Sequence, residues 1–224
     1  MTTLKTSKNL LLPEEECGLF GIYGMDDAAT HTALGLHALQ HRGQEAAGIV
    51  AYDGEQFHSH RALGLVGDNF NSAETMSQLK GNMAIGHVRY STTGGAGLRN
   101  VQPLYADLAS GGFAIAHNGN ISNAATLREE LVGKGAIFQS TSVTEVSIHL
   151  VATSRYPTML DKLTDALRLV EGAYALIVAT PRGMAACRDP LGIRPLQMGK
   201  MGDAVVFASE TVAFDVVGAE FIRE

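Results

Sequence analysis

Short apolar strand patterns occupy both ends of this chain of 224 residues, and helical patterns lie mainly between them. The clearest pair, 46–52 and 56–63, flanks Asp53-Gly54, a dipeptide that is a strong signal for a β-hairpin. Hairpins join antiparallel strands, whereas parallel strands need a long crossover after each strand. The order of the patterns therefore favours an α+β fold, in which helices pack against antiparallel sheets.

The remaining elements are predicted from the hydrophobic period and from turn residues. We predict further strands over 18–23, 83–88, 113–117, 173–179, 184–187, 195–198 and 204–208. We predict helices over 28–40, 73–79, 124–132 and 159–170. No internal linker interrupts these elements, so we predict one domain over 17–224, preceded by a polar leader over 1–16.

Two helix starts carry capping signals. Asn123 precedes the 124–132 helix, and its short polar side chain can accept a hydrogen bond from the first turn. Ser142 and Glu145 have the spacing of a capping box ahead of another apolar helical run, in which each side chain bonds the other residue's backbone N–H. We therefore predict that these side chains cap the helices that follow them.

Composition limits the partners of this chain. Its formal net charge is −6 and it has no basic run, which argues against nucleic acid and anionic membranes. No apolar stretch approaches the roughly 20 residues that cross a bilayer, and the leader lacks the apolar region and cleavage site of a secretory signal. Cys17 and Cys187 provide neither a disulfide framework nor a zinc set. We therefore expect a cytoplasmic protein with reduced thiols and no bound metal.

Cys17 lies between the leader and the first predicted strand. Removal of the leader at the Glu16–Cys17 bond would place a free α-amine beside the thiol of the same residue. A thiol and an amine so placed can act as nucleophile and general base, as in N-terminal Cys, Ser or Thr hydrolases. The alternative is a buried strand cysteine without a catalytic role, which this residue considered by itself would favour.

Two further polar stretches contain groups that suit acyl transfer. In the segment 117–120, HNGN, an Asn amide and a backbone N–H can stabilise an oxyanion, although an Asn-Gly turn explains the same residues. Arg89, at the end of a predicted strand, can grip a carboxylate bidentately or form a structural ion pair. Local sequence alone leaves both choices open.

Other polar candidates have simpler explanations. His58 and His60 share one face of a strand, as metal ligands can, but no third ligand is suggested nearby. Cys187, at a strand end, is expected to be a small buried side chain. The segment 188–195, RDPLGIRP, fits a structural network of ion pairs.

Taken together, the motifs resemble those of one known family. Between residues 17 and 224 the chain carries CGLFGIYG, LHALQHRGQEAAGI, GHVRYSTTG, NVQPL, AHNGNISN, TSVTEV, EGAYALIV, RDPLGIRPL and ASET. It resembles the N-terminal glutaminase domain of the amidophosphoribosyltransferase family, whose enzymes commit phosphoribosyl pyrophosphate to purine synthesis. CGxxG and the Asn-Gly pair are shared by all class II glutamine amidotransferases, whereas LQHRGQEAAGI and RDPLGIRPL are more specific signals.

The resemblance implies a fold and the roles of several residues. The fold is the N-terminal-nucleophile hydrolase fold, a four-layer αββα sandwich with two antiparallel sheets. Cys17 is implied to attack the side-chain amide of glutamine and form a γ-glutamyl thioester, while its α-amine shuttles the proton. Asn118 and the Gly119 N–H are implied to form the oxyanion hole, and Arg89 to hold the α-carboxylate of glutamine. The other residues implied near the substrate or the nucleophile are Thr92, Thr93, Arg42 and Gly43.

The resemblance also implies a processing step and the other parts of a full-length enzyme. The acidic leader resembles a propeptide that is removed by self-cleavage between Glu16 and Cys17. A phosphoribosyltransferase domain is expected after residue 224, and the full-length enzyme is expected to be a homo-oligomer. Mg²⁺ and a 4Fe–4S cluster are expected in that missing half, with no cofactor in this domain, because Cys187 alone could not hold a cluster. By itself, the domain is expected to act at most as a glutaminase.

Val143 departs from the family pattern. In the motif TSVTEV, the family has Asp where this chain has Val143, and that carboxylate accepts the α-ammonium of glutamine. A charged pair in a partly desolvated pocket contributes substantially to binding, and Val offers no acceptor. We therefore expect weakened glutamine binding, with the nucleophile and the oxyanion hole intact.

Three other interpretations stay open at this point. One is the corresponding domain of another ammonia donor, of the glucosamine-phosphate synthase type. The second is a packing or regulatory module, in which a retained leader blocks the α-amine of Cys17 and Val143 blocks the substrate. The third is a pocket that accepts amides lacking an α-ammonium.

Overall fold

The computed structural model describes residues 17–90 and 97–224. Within these stretches the chain forms eleven β-strands and seven α-helices, with short 3-10 helices at Gln40–Arg42 and Leu98–Asn100. The strands are β1 (Gly18–Tyr23), β2 (Ala46–Tyr52), β3 (Phe57–Leu63), β4 (Met83–Arg89), β5 (Leu104–Leu108), β6 (Gly111–Ile121), β7 (Gly172–Thr180), β8 (Gly183–Arg188), β9 (Gln197–Met201), β10 (Ala204–Ala208) and β11 (Glu220–Arg223). The helices are α1 (Ala28–Ala38), α2 (Val66–Asn69), α3 (Ala73–Gln78), α4 (Ala124–Gly133), α5 (Thr144–Thr153), α6 (Met159–Leu169) and α7 (Val212–Val217).

The strands form two antiparallel sheets. A seven-stranded sheet has the order β11-β9-β10-β1-β4-β2-β3, and a four-stranded sheet has the order β5-β6-β7-β8. The predicted hairpin is the β2–β3 pair, whose register ends with Tyr52 opposite Phe57. β1 pairs with both β10 and β4, so the first strand lies inside the large sheet. The predicted α+β class is therefore confirmed.

The two sheets pack face to face through small and branched side chains. Because side chains alternate between the two faces of a strand, Leu19 in β1 faces the four-stranded sheet while Phe20 faces the helices. In β6, Ala116 faces the seven-stranded sheet while Ile115 faces the other helices. This alternation decides which polar side chains can enter the space between the sheets.

Helices cover the outer faces of both sheets and complete four layers. α1 and α7 lie on the seven-stranded sheet, where Leu36 and Phe214 are buried in one apolar cluster. α4, α5 and α6 lie on the four-stranded sheet and contribute Leu131, Val151 and Leu163 to a second cluster. The sandwich architecture implied by the resemblance is therefore present. Among the helices that the structure describes, none is both long and apolar enough to cross a bilayer.

The prediction that Asn123 caps α4 is wrong. Asn123 precedes the helix, but its side chain makes no capping hydrogen bond. Its Nδ2 donates to the Leu169 carbonyl at 2.8 Å, and its Oδ1 accepts from the Glu171 N–H at 3.1 Å. The side chain therefore stabilises the turn between α6 and β7, a partner that lies far away in sequence.

The predicted capping box at Ser142 and Glu145 is also wrong. α5 begins at Thr144 without a side-chain cap. The Glu145 carboxylate reaches back and accepts from the N–H groups of Gln139 and Ser140, each at 2.7 Å. Backbone donors in the preceding turn therefore bind this carboxylate, and the Ser142 N–H donates to Ser140 Oγ at 3.2 Å instead.

Two strands escape prediction from the sequence. β5 and β11 are both edge strands, one in each sheet. β11 is exposed along its whole length, and β5 buries only Leu104 fully. β5 alternates over only five residues and β11 consists of only four residues, all exposed, so neither run is long and apolar enough to predict a strand.

Candidate functional site

Arg42 holds the backbone of Cys17 at the start of β1. The Cys17 N–H donates to the Arg42 carbonyl at 2.9 Å, and the Arg42 Nε donates to the Cys17 carbonyl at 2.8 Å. Arg42 is 2% exposed, and its Nη1 forms an ion pair with Glu210. A buried guanidinium needs such partners to offset its loss of water. Arg42 therefore fixes the position of the candidate nucleophile through the main chain.

Cys17 itself has a left-handed backbone conformation, with φ at +70°. Non-glycine residues adopt this conformation at a cost of about 1–2 kcal/mol. Its Sγ lies 3.8 Å from the Tyr90 carbonyl oxygen, and the register that pairs Gly18 with Val88 brings Cys17 beside Arg89. Strained residues persist where surrounding contacts hold them, and they are frequent at functional sites.

Arg89 ends β4 with a guanidinium that is mostly buried. Its side chain is 16% exposed, and its Nε lies 3.9 Å from the Glu45 Oε2. Its Nη1 is buried and makes no hydrogen bond within the described residues. Gly43 packs directly on this strand end, since a Cβ at Gly43 would lie 2.6 Å from the Arg89 carbonyl carbon. A buried donor without a partner is costly unless a ligand supplies an acceptor, and a guanidinium suits a carboxylate.

Asn118 and Gly119 lie inside β6, so the Asn-Gly turn interpretation is wrong. Asn118 is fully buried, and neither its Oδ1 nor its Nδ2 has a hydrogen-bond partner in the part of the chain that the structure describes. Gly119 has φ at +135°, and a Cβ there would lie 2.1 Å from the Ala173 carbonyl oxygen. Buried amides without partners are rare in native proteins and call for an explanation. An oxyanion that binds here is one such explanation.

Arg89 and Asn118 border the same space between the sheets. Along β4, Arg89 shares a face with Ile85, and along β6, Asn118 shares a face with Ala116. Ile85 and Ala116 both belong to the apolar cluster that joins the sheets. Cys17, beside Arg89, brings a thiol to the same end of this space. A thiol that can act as nucleophile and an amide that can stabilise an oxyanion are the groups that acyl transfer uses, and a guanidinium beside them suits a substrate carboxylate.

Two buried histidines adjoin these residues in sequence. His87 Nε2 lies 3.2 Å from the His117 carbonyl oxygen, so this nitrogen carries a proton, and His117 Nδ1 lies 3.2 Å from Thr144 Oγ1. Burial, together with the nearby His117, lowers the pKa of His87 to about 3. Burial, together with the charge of Arg194, lowers the pKa of His117 to about 4. Both imidazoles are therefore neutral near pH 7 and act as hydrogen-bonding groups.

We expect these two histidines to make folding sensitive to acid. Each has a folded-state pKa below its ordinary value of 6.5, so below that pH the unfolded chain binds more protons than the folded protein. Their contribution to stability is full above pH 6.5 and is lost as the pH falls toward the folded-state values, by about 1.4 kcal/mol per pH unit for each histidine.

The slope can be measured by urea unfolding from about pH 7 to about pH 5. The matched variant is His87→Gln, which keeps an N–H donor for the His117 carbonyl but does not titrate. It should lose about half of the histidine-dependent slope. Equal slopes in the two proteins would contradict the expectation.

Other predicted site residues are only partly accounted for. The structure does not describe Glu16, Thr92 and Thr93. Val143 directly precedes α5, where it is half-buried and packs on the apolar cluster of the four-stranded sheet. The Glu145 carboxylate cannot stand in for the Asp that the family pattern has, since it is occupied by the preceding turn.

The remaining polar candidates have structural partners. His58 Nε2 lies 2.6 Å from Asp53 Oδ2, and the His60 ring packs edge-on against Phe70. Cys187 is half-buried against the helix-covered face of its sheet, and burial raises the pKa of its thiol. Within residues 17–90 and 97–224, no three His, Cys, Asp or Glu side chains are grouped to hold a metal ion.

The RDPLGIRP segment is a turn organised by Asp189. Burial acts to raise the pKa of this carboxyl, but backbone N–H groups that follow it in the turn donate to it and lower the pKa overall. Arg188 donates to the carbonyls of Gly192 and Arg194. The predicted network of ion pairs is therefore wrong for Asp189, whose partners are main-chain amides.

Sequence reasoning missed residues that hold the site from a distance. Glu210, 168 positions after Arg42, forms an ion pair with it. Gln102 is hydrogen-bonded to the backbone of His117. Both lie in motifs that stand out in the sequence, ASET and NVQPL, but no local signal identifies the distant partner of either side chain.

Comparison with protein families places the chain among amidotransferases. A model described as "Glutamine amidotransferase domain" matches residues 87–216, and one described as "Glutamine amidotransferases class-II" matches residues 17–138. The amidophosphoribosyltransferase of Rhizobium etli is 56% identical over 210 residues, which cover 94% of this chain and 42% of the relative. That of Bacillus subtilis is 51% identical over 211 residues, covering 94% and 44%.

Solved structures give the same result. The glutamine phosphoribosylpyrophosphate amidotransferase from B. subtilis, complexed with ADP and GMP, matches with a TM-score of 0.88 at 49% identity, over 93% of this chain and 45% of that one. A structure titled as the allosteric regulatory enzyme of purine biosynthesis matches with a TM-score of 0.90 at 51% identity, with the same coverage. The chain thus spans less than half the length of these relatives. The N-terminal-nucleophile fold and the resemblance inferred from the motifs are confirmed, and the chain belongs to the glutamine amidotransferase domain family.

Proposed function

We propose that this chain is the glutaminase half of an amidophosphoribosyltransferase, and that it hydrolyses the side-chain amide of glutamine through Cys17. One observation carries the proposal: the Cys17 thiol, the Arg89 Nη1 and the Asn118 amide border one space between the sheets. Among the described residues, neither the Arg89 Nη1 nor the Asn118 amide has a hydrogen-bond partner. Each group suits a different part of glutamine. The thiol suits the amide carbon, the guanidinium the α-carboxylate, and the Asn amide the developing oxyanion.

The proposed reaction has two steps. The Cys17 α-amine takes the thiol proton and becomes an α-ammonium as the Cys17 sulfur attacks the side-chain carbonyl carbon, and the oxyanion accepts hydrogen bonds from Asn118 Nδ2 and the Gly119 N–H. The C–N bond then breaks, and the leaving nitrogen takes a proton from the α-ammonium of Cys17, so that ammonia and a γ-glutamyl thioester result. Water then attacks the thioester and loses a proton to the α-amine, the C–S bond breaks, and the departing sulfur regains that proton as glutamate leaves.

Removal of the leader is part of the proposal, because only a free α-amine can carry this proton. The Cys17 nitrogen already donates to the Arg42 carbonyl at 2.9 Å. An α-amine that keeps this acceptor would have a fixed orientation beside its own thiol. The Cys17 thiol and the Glu16–Cys17 carbonyl are adjacent along the chain, so we propose that the same thiol also cleaves the leader.

We further propose the role of the domain in the longer protein. The ammonia would convert phosphoribosyl pyrophosphate to 5-phosphoribosylamine, the first committed step of purine synthesis, at a phosphoribosyltransferase domain beyond residue 224, in a cytoplasmic homo-oligomer. The described residues group no three His, Cys, Asp or Glu side chains that could hold a metal ion. We propose that Mg²⁺ and an iron–sulfur cluster would belong to that other domain, and no step here involves them. A recombinant chain of the relatives' length that consumed glucosamine precursors instead of phosphoribosyl pyrophosphate would refute this assignment.

The direct test combines mass and product. The purified 224-residue chain should lose residues 1–16, as read from its intact mass, and should then release glutamate and ammonia from glutamine in equal amounts. A chain that lost its leader but left glutamine intact would refute the glutaminase proposal. A chain that kept its leader and still hydrolysed glutamine would refute the role of the α-amine.

Val143 favours a second candidate, a glutaminase impaired in substrate binding. Its apolar side chain cannot pair with an α-ammonium, and the carboxylate two positions later is already occupied. We expect Val143→Asp to lower the KM for glutamine by about 10- to 100-fold, since a hydrogen bond to a charged group contributes about 1.5–3 kcal/mol. Steady-state kinetics measure this change.

The matched control is Val143→Asn, which has a similar shape and polarity but no charge. It should recover much less of the affinity than Val143→Asp. If the Asp variant binds glutamine no better than the unaltered protein, then Val143 does not occupy the position of an ammonium acceptor, and the impairment is excluded.

A further inference from the structure

We propose that Gln102 is a positioning residue for glutamine hydrolysis: its side-chain amide holds the backbone of His117 and thereby sets the position of Asn118. The inference builds on the proposed glutaminase function. It assigns a role to the NVQPL motif, which the reaction steps leave unused.

β6 extends beyond the end of its neighbour β5. The β5–β6 pairing ends with Leu104 opposite Ile115, whereas the β6–β7 pairing continues to Ile121 opposite Gly172. In an antiparallel ladder, the N–H and C=O of one residue point to the same neighbouring strand, and alternate residues share that direction. His117, two residues after Ile115, therefore points its N–H and C=O to a side where β5 no longer provides partners.

The side chain of Gln102 provides the missing partners. The His117 N–H donates to Gln102 Oε1 at 2.8 Å, and Gln102 Nε2 donates to the His117 carbonyl at 3.3 Å. These two bonds reproduce the pair that a strand residue would make, and they fix the orientation of the amide. His87 Nε2, at 3.2 Å, approaches the same carbonyl oxygen from β4.

Gln102 is itself anchored on the seven-stranded sheet. Its carbonyl oxygen lies against Gly48 in β2, so closely that a Cβ at Gly48 would be 2.2 Å away. Gly48 pairs with His87 in β4, the strand that ends at Arg89. Gln102, which is 7% exposed, therefore ties β6 to the sheet that carries the nucleophile and the anion-binding group.

This tie matters because the two halves of the proposed site lie on different sheets. The contacts between the sheets are otherwise mainly apolar, and apolar contact has no preferred direction. Hydrogen bonds from Gln102 to His117, the residue before Asn118, are directional and so fix the orientation of β6 relative to the other sheet. A displacement of about 1 Å in a reacting geometry can lower a rate by about 100-fold. Arg89, on the other sheet, should bind substrate as before.

The test is Gln102→Met, which has a similar shape but makes neither hydrogen bond. We expect kcat for glutamine hydrolysis to fall by about 10- to 100-fold, with KM changed less than about 2-fold, in protein that has lost its leader. The control is Thr180→Val at the far end of the same sheet, which also removes two hydrogen bonds: one to the Gly183 carbonyl at 3.0 Å and one from the Arg182 N–H at 3.2 Å. It should lower stability to a similar degree while leaving kcat unchanged. An unchanged kcat in the Met variant would overturn the proposal.

A second variant separates positioning from general damage. Gln102→Glu keeps an acceptor for the His117 N–H but sets a carboxylate oxygen against the His117 carbonyl. Protonation of that carboxyl restores a donor, so the activity of this variant relative to the unaltered protein should rise as the pH falls. A ratio that does not change with pH would overturn the proposal.

Amide exchange distinguishes this inference from the proposed function. If the unaltered, leader-free protein releases no glutamate, the glutaminase proposal fails, and with it the catalytic consequence. The two hydrogen bonds between Gln102 and His117 are then tested by hydrogen exchange. The His117 amide should exchange faster in Gln102→Met than in the unaltered protein. Equal exchange rates would show that Gln102 does not hold this strand.

Discussion

A Cys17→Ala variant is expected to release no glutamate from glutamine and to keep residues 1–16. Both reactions need the same sulfur, which attacks the substrate amide in one and the peptide carbonyl before it in the other. Alanine leaves the Arg42 contacts possible, since both hydrogen bonds to residue 17 use its main chain. Intact mass and a glutamate assay measure the two outcomes on the same sample.

Cys187→Ala is the matched control, because these two are the cysteines of the chain. Cys187 lies in β8, and burial raises the pKa of its thiol, which keeps it protonated and unreactive near neutral pH. This variant should lose its leader and hydrolyse glutamine at the original rates. Loss of the leader from Cys17→Ala at an undiminished rate would exclude self-cleavage by this thiol, and residual hydrolysis would exclude it as the nucleophile.

The elements near the site could be predicted because their signals are local. An apolar run after Cys17, and Asp53-Gly54 between two strand patterns, depend only on neighbours in sequence, and both β1 and the β2–β3 hairpin are found in the structure. The Asn-Gly pair suggested a turn, but Gly119 lies inside a strand. A glycine is needed there because the Ala173 carbonyl approaches its backbone too closely for a side chain.

The supports of the site could not be predicted from local patterns. Arg42 forms its ion pair with Glu210, and His117 is hydrogen-bonded to Gln102, which lies 15 positions away in an irregular segment. The first contact exists only after the seven-stranded sheet has formed, and the second only after the two sheets have packed together. The capping predictions failed for the same reason: the Asn123 amide and the Glu145 carboxylate found partners outside the first turns of their helices.

Replacing Asn118 by leucine is expected to lower kcat for glutamine hydrolysis by about 100- to 1,000-fold, the usual effect of losing one oxyanion donor. KM should change little, because Arg89 and not Asn118 is proposed to bind the α-carboxylate. The same substitution should leave the protein as stable as before, or more stable. Both polar atoms of Asn118 are buried without partners among the described residues, and leucine removes that desolvation cost with the same branched shape and number of heavy atoms.

Asn123→Leu is the matched control and should show the opposite pattern. Both polar groups of Asn123 are bonded, to the Leu169 carbonyl and the Glu171 N–H, so its loss should cost about 1 kcal/mol of stability with kcat unchanged. Steady-state kinetics and urea unfolding on both variants separate the two cases. If Asn118→Leu instead destabilised the protein as Asn123→Leu does, Asn118 would be a structural residue with partners inside the fold. A group that binds only the transition state has no partner in the folded protein without substrate. Its loss should therefore lower turnover without lowering stability.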